Sequence, residues 1–130
     1  MWRQLLKSKI HRAIVTEADL NYVGSLTLGH VLCDAADILP HELVHITNIN
    51  TGVHWVTYVI RDADRPHVVC LNGTAARNFH PGDPVIIMAY GLVNLNEEPP
   101  PQTRVVFVDG KNTITRVMQG EHPFSYGPPD

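Results

Sequence analysis

The stretch Tyr22-Val23-Gly24-Ser25 is the point from which the rest of this sequence can be interpreted. On its own, a Gly-Ser pair is a weak signal, because both residues are common in ordinary turns. Glycine also reaches backbone angles that are closed to other residues, so that a following serine hydroxyl can approach the glycine carbonyl. The pair is therefore either a tight turn between two strands or a peptide bond at which the chain reacts with itself.

The flanking segments favour the second interpretation. They are Lys9-Ile10-His11-Arg12-Ala13, residues 15–20, Asp34-Ala35-Ala36-Asp37, Thr57-Tyr58 and Leu71-Asn72-Gly73-Thr74-Ala75-Ala76. In this order, the set resembles the pyruvoyl-dependent aspartate 1-decarboxylases over about residues 9–90. The resemblance implies that the proenzyme cuts itself between Gly24 and Ser25, into fragments 1–24 and 25–130, and that Ser25 becomes a pyruvoyl group, the cofactor.

The residue types at this bond suit that chemistry. A pyruvoyl group requires a β-hydroxyl that attacks the preceding carbonyl and is later eliminated, and serine supplies it with the least bulk. The implied steps are attack of the Ser25 hydroxyl on the Gly24 carbonyl to form an ester, elimination to dehydroalanine, and hydrolysis to a ketone at residue 25.

Length and composition limit the classes of function. The 130 residues fit one domain, and 44% hydrophobic residues can supply its core. The formal net charge of -3 provides no basic surface for nucleic acid, and the eight scattered histidines predict no metal site. No apolar run is long enough to span a bilayer, no signal peptide is evident, and two cysteines suit a reducing cytoplasm. We therefore expect a soluble cytoplasmic protein without nucleic-acid or membrane partners.

Alternating apolar residues and regularly spaced turns predict a mainly β protein with short helices. We expect strands at residues 5–15, 26–28, 42–48, 53–61, 68–71, 85–93, 104–108 and 113–118. Residues 30–37 and 75–77 are predicted to be helical, and residues 16–20 a turn or helical turn. This pattern favours a barrel or a sandwich. The resemblance implies a double-psi β-barrel that assembles as a homotetramer with sites between neighbouring subunits.

The resemblance also assigns roles to side chains whose local sequence is ordinary. Lys9 binds a substrate carboxylate, although strand lysines are usually solvated. Thr57 contacts substrate and assists processing, since its hydroxyl can hydrogen-bond the Gly24 carbonyl as negative charge develops. Tyr58 supplies the proton that replaces the lost carboxylate. His11 is equally compatible with a site residue and with a strand-face histidine.

The stretch Asn72-Gly73-Thr74-Ala75 is expected to contact the substrate. A glycine after a strand lets backbone N–H groups approach an anion closely, and the start of a helix favours negative charge. An Asn-Gly pair is more often only a turn, so the assignment rests on the resemblance. Thr74 departs modestly from the family pattern, in which alanine is common at this place.

Position 54 departs from the pattern more seriously. Family members usually carry arginine in the segment that here contains His54. Histidine lacks the bidentate fork of arginine and is only partly charged near neutral pH. The resemblance implies that a small amino acid, L-aspartate, is decarboxylated to β-alanine, a precursor of pantothenate. Because His54 takes the place of that arginine as a substrate-binding residue, a 3-substituted aspartate is the alternative substrate.

Two other interpretations stay open. In the first interpretation, the chain is a non-catalytic barrel that binds a ligand or a partner, since a fold does not define a function. Alternatively, it is a proenzyme that needs a maturation partner to cut. The intact set of Gly24, Ser25, Thr57 and Tyr58 favours an enzyme, because a binding module would not require these four residues.

Overall fold

Short strands joined by turns make up most of the chain. The structure is a computed structural model that describes residues 1–123. Its strands are β1 (Trp2–Ile14), β2 (Glu17–Asp19), β3 (Ser25–Gly29), β4 (Leu43–Asn48), β5 (His54–Asp62), β6 (Val69–Asn72), β7 (Pro84–Asn94), β8 (Arg104–Val108) and β9 (Ile114–Gln119). Its helices are α1 (His30–Ala36) and a short 3-10 helix (Gly73–Arg77). The predicted mainly β class with short helices is confirmed.

The predicted turn at residues 16–20 is wrong, because Glu17–Asp19 forms β2. This strand pairs in parallel with β6, where Glu17 lies opposite Cys70. Glutamate, alanine and aspartate are all depleted in strands, so the segment has little β preference of its own. The strand exists because β6 offers an edge with which three residues can pair.

The described strands form one mixed sheet, in the order β2-β6-β3-β5-β4-β7-β1-β8-β9. The pairs β1–β8, β2–β6 and β3–β5 are parallel, and the other pairs are antiparallel. β5 is shared between two neighbours, since its first half pairs with β4 and its second half with β3. This mixed pairing is consistent with the double-psi β-barrel that the resemblance implies.

Strands β1, β7, β4 and β5 bury one face and expose the other, because successive strand residues point in opposite directions. The buried face contributes to a core that includes Ile10, Val44, Ile46, Val59, Val85 and Ile87. On the opposite side, Lys9, Met88, His45 and Val56 lie in one row across the four strands. We call this side the outer face.

The junction between β3 and α1 is tightly packed. A Cβ atom on Gly29 would lie 2.1 Å from the carbonyl oxygen of Pro66, so that only glycine fits. The buried residues of α1 are Leu32, Cys33 and Ala36. The Gly29 contact holds the end of β3, the strand that begins at Ser25.

No helix in the described part of the chain is long and apolar enough to cross a membrane.

Candidate active site

Ser25, the predicted precursor of the cofactor, is the first residue of β3, and only 1% of its surface is exposed. β6 runs antiparallel beside it and places Asn72 directly opposite. The Asn72 Nδ2 donates a hydrogen bond to the Ser25 Oγ at 3.0 Å. The Ser25 hydroxyl in turn faces the Val23 carbonyl oxygen at 3.5 Å. The buried serine is thus held by a side chain 47 positions further along the chain.

β5 lies along the other edge of β3 and runs parallel to it, in a register that begins one residue after Ser25. Gly24-Ser25 and Thr57-Tyr58 directly precede the first paired residues, Leu26 and Val59, on their two segments of the chain. Tyr58 is 38% exposed, and Thr57 is partly buried. Within residues 1–123, no hydrogen bond joins Thr57 to Gly24, so the role of the Thr57 hydroxyl in processing stays a prediction.

Gly73 brings a second backbone segment against the predicted cleavage point. Its φ of +67° belongs to the left-handed region, which favours glycine. A Cβ atom here would lie 2.7 Å from the Gly24 Cα and 3.0 Å from the Gly24 nitrogen. No other residue type fits without displacing the backbone, so Gly73 allows direct contact with the peptide expected to be cut.

The remaining members of this stretch differ in accessibility. Thr74 is exposed, whereas Ala75 is 2% exposed and its methyl group belongs to the hydrophobic core. The side chain of Thr74 is therefore accessible to a substrate, as its predicted role requires. For Ala75, the prediction applies only to its backbone.

Two further side chains, the partly buried Thr27 and the buried Cys70, complete the hydrogen bonds of Asn72. Its Nδ2 also donates to the Thr27 Oγ1 at 2.9 Å, and its Oδ1 accepts a hydrogen bond from the Cys70 Sγ at 3.2 Å. Burial, reinforced by the nearby charge of Glu17, raises the pKa of the Cys70 thiol, so this group keeps its proton at neutral pH. We call Ser25, Thr27, Cys70 and Asn72 the buried quartet.

On the outer face, His54 contacts a second histidine. The His54 Nε2 and the His45 Nδ1 lie 2.8 Å apart, so that one ring donates a hydrogen bond to the other. The Tyr90 ring packs edge-on against His45 at a centroid distance of 5.2 Å. Tyr58 projects from the same face and packs edge-on against His41 at 6.2 Å. The residue that replaces the usual arginine is therefore already paired within the subunit.

Lys9 lies on the outer face in the same row as His45. Its amine forms an ion pair with the carboxylate of Glu121, near the end of the described chain. A carboxylate is the group that the predicted role of Lys9 requires it to bind. The ring of His11 packs edge-on against Phe107 at 5.5 Å, which favours its interpretation as a strand-face histidine.

Sequence analysis did not identify Thr27, Cys70 or His45 as site residues. A partial signal for the buried quartet was present, because Ser25 and Thr27 are two residues apart, as are Cys70 and Asn72, and such spacing shares a strand face. The missing information was the register that sets Thr27 opposite Cys70. For His45, the pairing of β4 with β5 was necessary.

Comparisons with known proteins agree with the resemblance. The family model described as aspartate decarboxylase matches residues 1–115. A protein of Moorella thermoacetica named aspartate 1-decarboxylase is 50% identical over 123 residues, which are 95% of this chain and 96% of the relative. Relatives with the same name are 49% identical in Pelotomaculum thermopropionicum, covering 98% and 95% of the two chains, and 45% identical in Listeria monocytogenes, covering 93% and 95%.

Proposed function

The chain belongs to the aspartate decarboxylase family, and we propose that it converts L-aspartate to β-alanine and carbon dioxide after cutting itself between Gly24 and Ser25. The observation that carries the proposal is the environment of this bond. Ser25 is buried and accepts a hydrogen bond from Asn72, while Gly73 packs against Gly24 so closely that a Cβ would not fit. A ligand-binding barrel would not require this combination.

The residues present fit the cofactor on which the family depends, a pyruvoyl group made from Ser25. The Asn72 amide can donate a hydrogen bond to an atom of residue 25, as it does to the serine hydroxyl. Gly73 lets its backbone lie directly against residue 24, where a Cβ atom would not fit. The group, once formed, would supply a ketone that reacts with the substrate amine, and the adjacent amide carbonyl would accept electrons as carbon dioxide leaves.

Processing itself needs only this chain and water. The Ser25 hydroxyl attacks the Gly24 carbonyl, and the amide bond is exchanged for an ester with release of the residue 25 amine. Loss of the α-proton of residue 25 then breaks the ester C–O bond, which frees the Gly24 carboxylate and leaves dehydroalanine. Addition of water and loss of ammonia give the ketone. Thr57, two residues before the Val59 that pairs with Leu26, is the proposed donor to the developing oxyanion.

For decarboxylation, we assign substrate binding to the outer face and to the 72–75 stretch. Lys9 and His54 are the groups assigned to the substrate carboxylates, and Tyr58 holds the proton for the α-carbon. Tyr58 is exposed at the surface of the subunit, and it directly precedes Val59, the β5 residue that pairs with Leu26 next to Ser25.

A homotetramer with sites between subunits fits the apolar character of the outer face. Large hydrophobic side chains are exposed here and include Leu43, Val56, Tyr90 and Leu92. A contiguous exposed apolar surface is typical of an interface. Light scattering should report a tetramer, and a monomer that decarboxylates aspartate would contradict this assignment.

The His45–His54 pair is the observation that keeps the alternative substrate open. Relative to the usual arginine, His54 is shorter and already has a partner, so it offers one donor at most to a carboxylate. A 3-substituted aspartate would occupy more of the space that the shorter side chain leaves. Turnover of L-aspartate and 3-methylaspartate by the same preparation would decide between these substrates.

Intact mass measurement is the direct test of processing. We expect two species, residues 1–24 and residues 25–130, with the larger fragment blocked at its N-terminus, and a single uncut chain for Ser25→Ala. A wild-type chain that stays whole after prolonged warming would favour a binding barrel or the need for a maturation partner. Cutting on addition of a lysate from the source cells would then identify the second case.

A further inference from the structure

We propose that Thr27 and Cys70 are positioning residues for self-cleavage, because together they hold the Asn72 carboxamide in the orientation that donates to the Ser25 hydroxyl. The inference rests on the proposed function, since it concerns the same cleavage. Its basis is the buried quartet, in which all four side chains lie on the same face of the β3–β6 pair.

The register explains how the quartet assembles. Asn72 lies opposite Ser25, and Cys70 lies opposite Thr27. Asn72 is 3% exposed and Cys70 is 4% exposed, so water does not readily replace their mutual contacts. The intervening residues of both strands point into the hydrophobic core, which anchors the two strands independently of these polar groups.

The hydrogen bonds select one of two carboxamide orientations. The Nδ2 group has two N–H donors, and they are directed at the Ser25 Oγ and the Thr27 Oγ1 at 3.0 and 2.9 Å. The Oδ1 accepts from the Cys70 thiol at 3.2 Å. If the amide were rotated by 180°, its N–H groups would face a thiol, which is only a weak acceptor. The thiol proton of Cys70 therefore favours the observed orientation.

This orientation matters for the first step of cleavage. As the Ser25 hydroxyl loses its proton to attack the Gly24 carbonyl, negative charge develops on its oxygen. An N–H donor stabilises that charge and keeps the oxygen in place for attack. In the rotated amide, the Oδ1 lone pairs would face the same oxygen and repel the developing charge. Thr27 and Cys70 thus act on the reaction only through Asn72.

The test measures the rate of cleavage in newly synthesised chains, followed by intact mass after cell-free translation is stopped. Cys70→Ala and Thr27→Val should each slow cleavage roughly three- to tenfold, which is the effect of losing one modest hydrogen bond. Cys70→Ser and Thr27→Ser keep a hydroxyl at each place and should recover most of the rate. Cys33→Ala is the matched control, because Cys33 is also buried and free, but it lies in α1 and donates to the Leu28 carbonyl near the far end of β3, away from Asn72.

Hydroxylamine, which cleaves esters, separates slow formation of the ester from its slow elimination. Because the variants are expected to slow ester formation, hydroxylamine should not restore their rate to that of the wild type. Thermal unfolding of each variant, prepared with Ser25→Ala to keep the chain uncut, shows whether it folds. Thr27→Val provides the readout if Cys70→Ala fails to fold.

The outcomes distinguish the inference from the proposed function. If the wild-type chain does not cut, even after a lysate from the source cells is added, the proposed function fails, and this inference fails with it. If the wild type cuts and both folded variants cut at the wild-type rate, only the inference is overturned. Rescue by hydroxylamine, or equal slowing by Cys33→Ala, would also overturn it.

Discussion

The buried quartet and the outer face carry the two groups of candidate residues in opposite environments. Within the quartet, the Asn72 carboxamide has a protein partner for each polar atom and almost no contact with water. On the outer face, His54 and Tyr58 are exposed, and the strongest contacts join pairs of titratable groups. A closed network suits a reaction that the chain performs once on itself. An open surface with charged groups suits a substrate that must enter and leave repeatedly.

The largest effect is expected for Tyr58→Phe, which should impair decarboxylation on the outer face without impairing processing at the buried quartet. Processing should proceed normally, because the buried quartet is unchanged, whereas decarboxylation should fall by about 10²–10⁴-fold when the proton donor is lost. Intact mass and carbon dioxide release, measured on the same sample, provide the two readouts. Turnover at the wild-type rate would show that another group supplies the proton.

Thr57→Val, at the neighbouring position, should slow processing. Loss of one donor to the oxyanion should slow cutting by about 10²–10³-fold, and Thr57→Ser should retain most of the rate. The measurement is again the fraction of cut chain against time. Normal cutting by Thr57→Val would remove Thr57 from the processing machinery, in agreement with the missing hydrogen bond to Gly24.

His54→Arg should raise kcat/KM for L-aspartate by about ten- to a hundredfold, because a charge-assisted, bidentate partner becomes available to a carboxylate. His45→Asn tests whether the partner ring contributes to aspartate turnover. Wild-type activity that is high and not improved by arginine would leave aspartate as the ordinary substrate.

Glu121→Gln should have the smallest effect. The Glu121 carboxylate occupies the amine of Lys9, and an exposed ion pair of this kind is worth about 0.2–1 kcal/mol. Its removal should therefore lower KM for aspartate by no more than about fivefold, with kcat unchanged. The effect should shrink as ionic strength rises. A KM that increases would indicate that Glu121 supports the position of Lys9 and does not compete with substrate.

Local patterns predicted much of the fold. The hairpins β4–β5 and β8–β9, and the helix that ends ahead of Pro40, follow from apolar periodicity and turn residues near in sequence. β2 was missed because its residues have little β preference and pair only with a strand some 50 residues away. Periodicity describes the faces of one strand and contains no information about its neighbours.

Residue types in a specific order are enough to indicate the available chemistry, as Gly24, Ser25 and Tyr58 do here. The contacts around the candidate site depend on how distant strands pair. Cys70 and Thr27 reach Asn72, and His45 reaches His54, only through the registers of β3 with β6 and of β4 with β5. The physical reason is that a shift of one residue in a strand pair would turn these side chains to the opposite face, and the burial of the core on one face selects a single register.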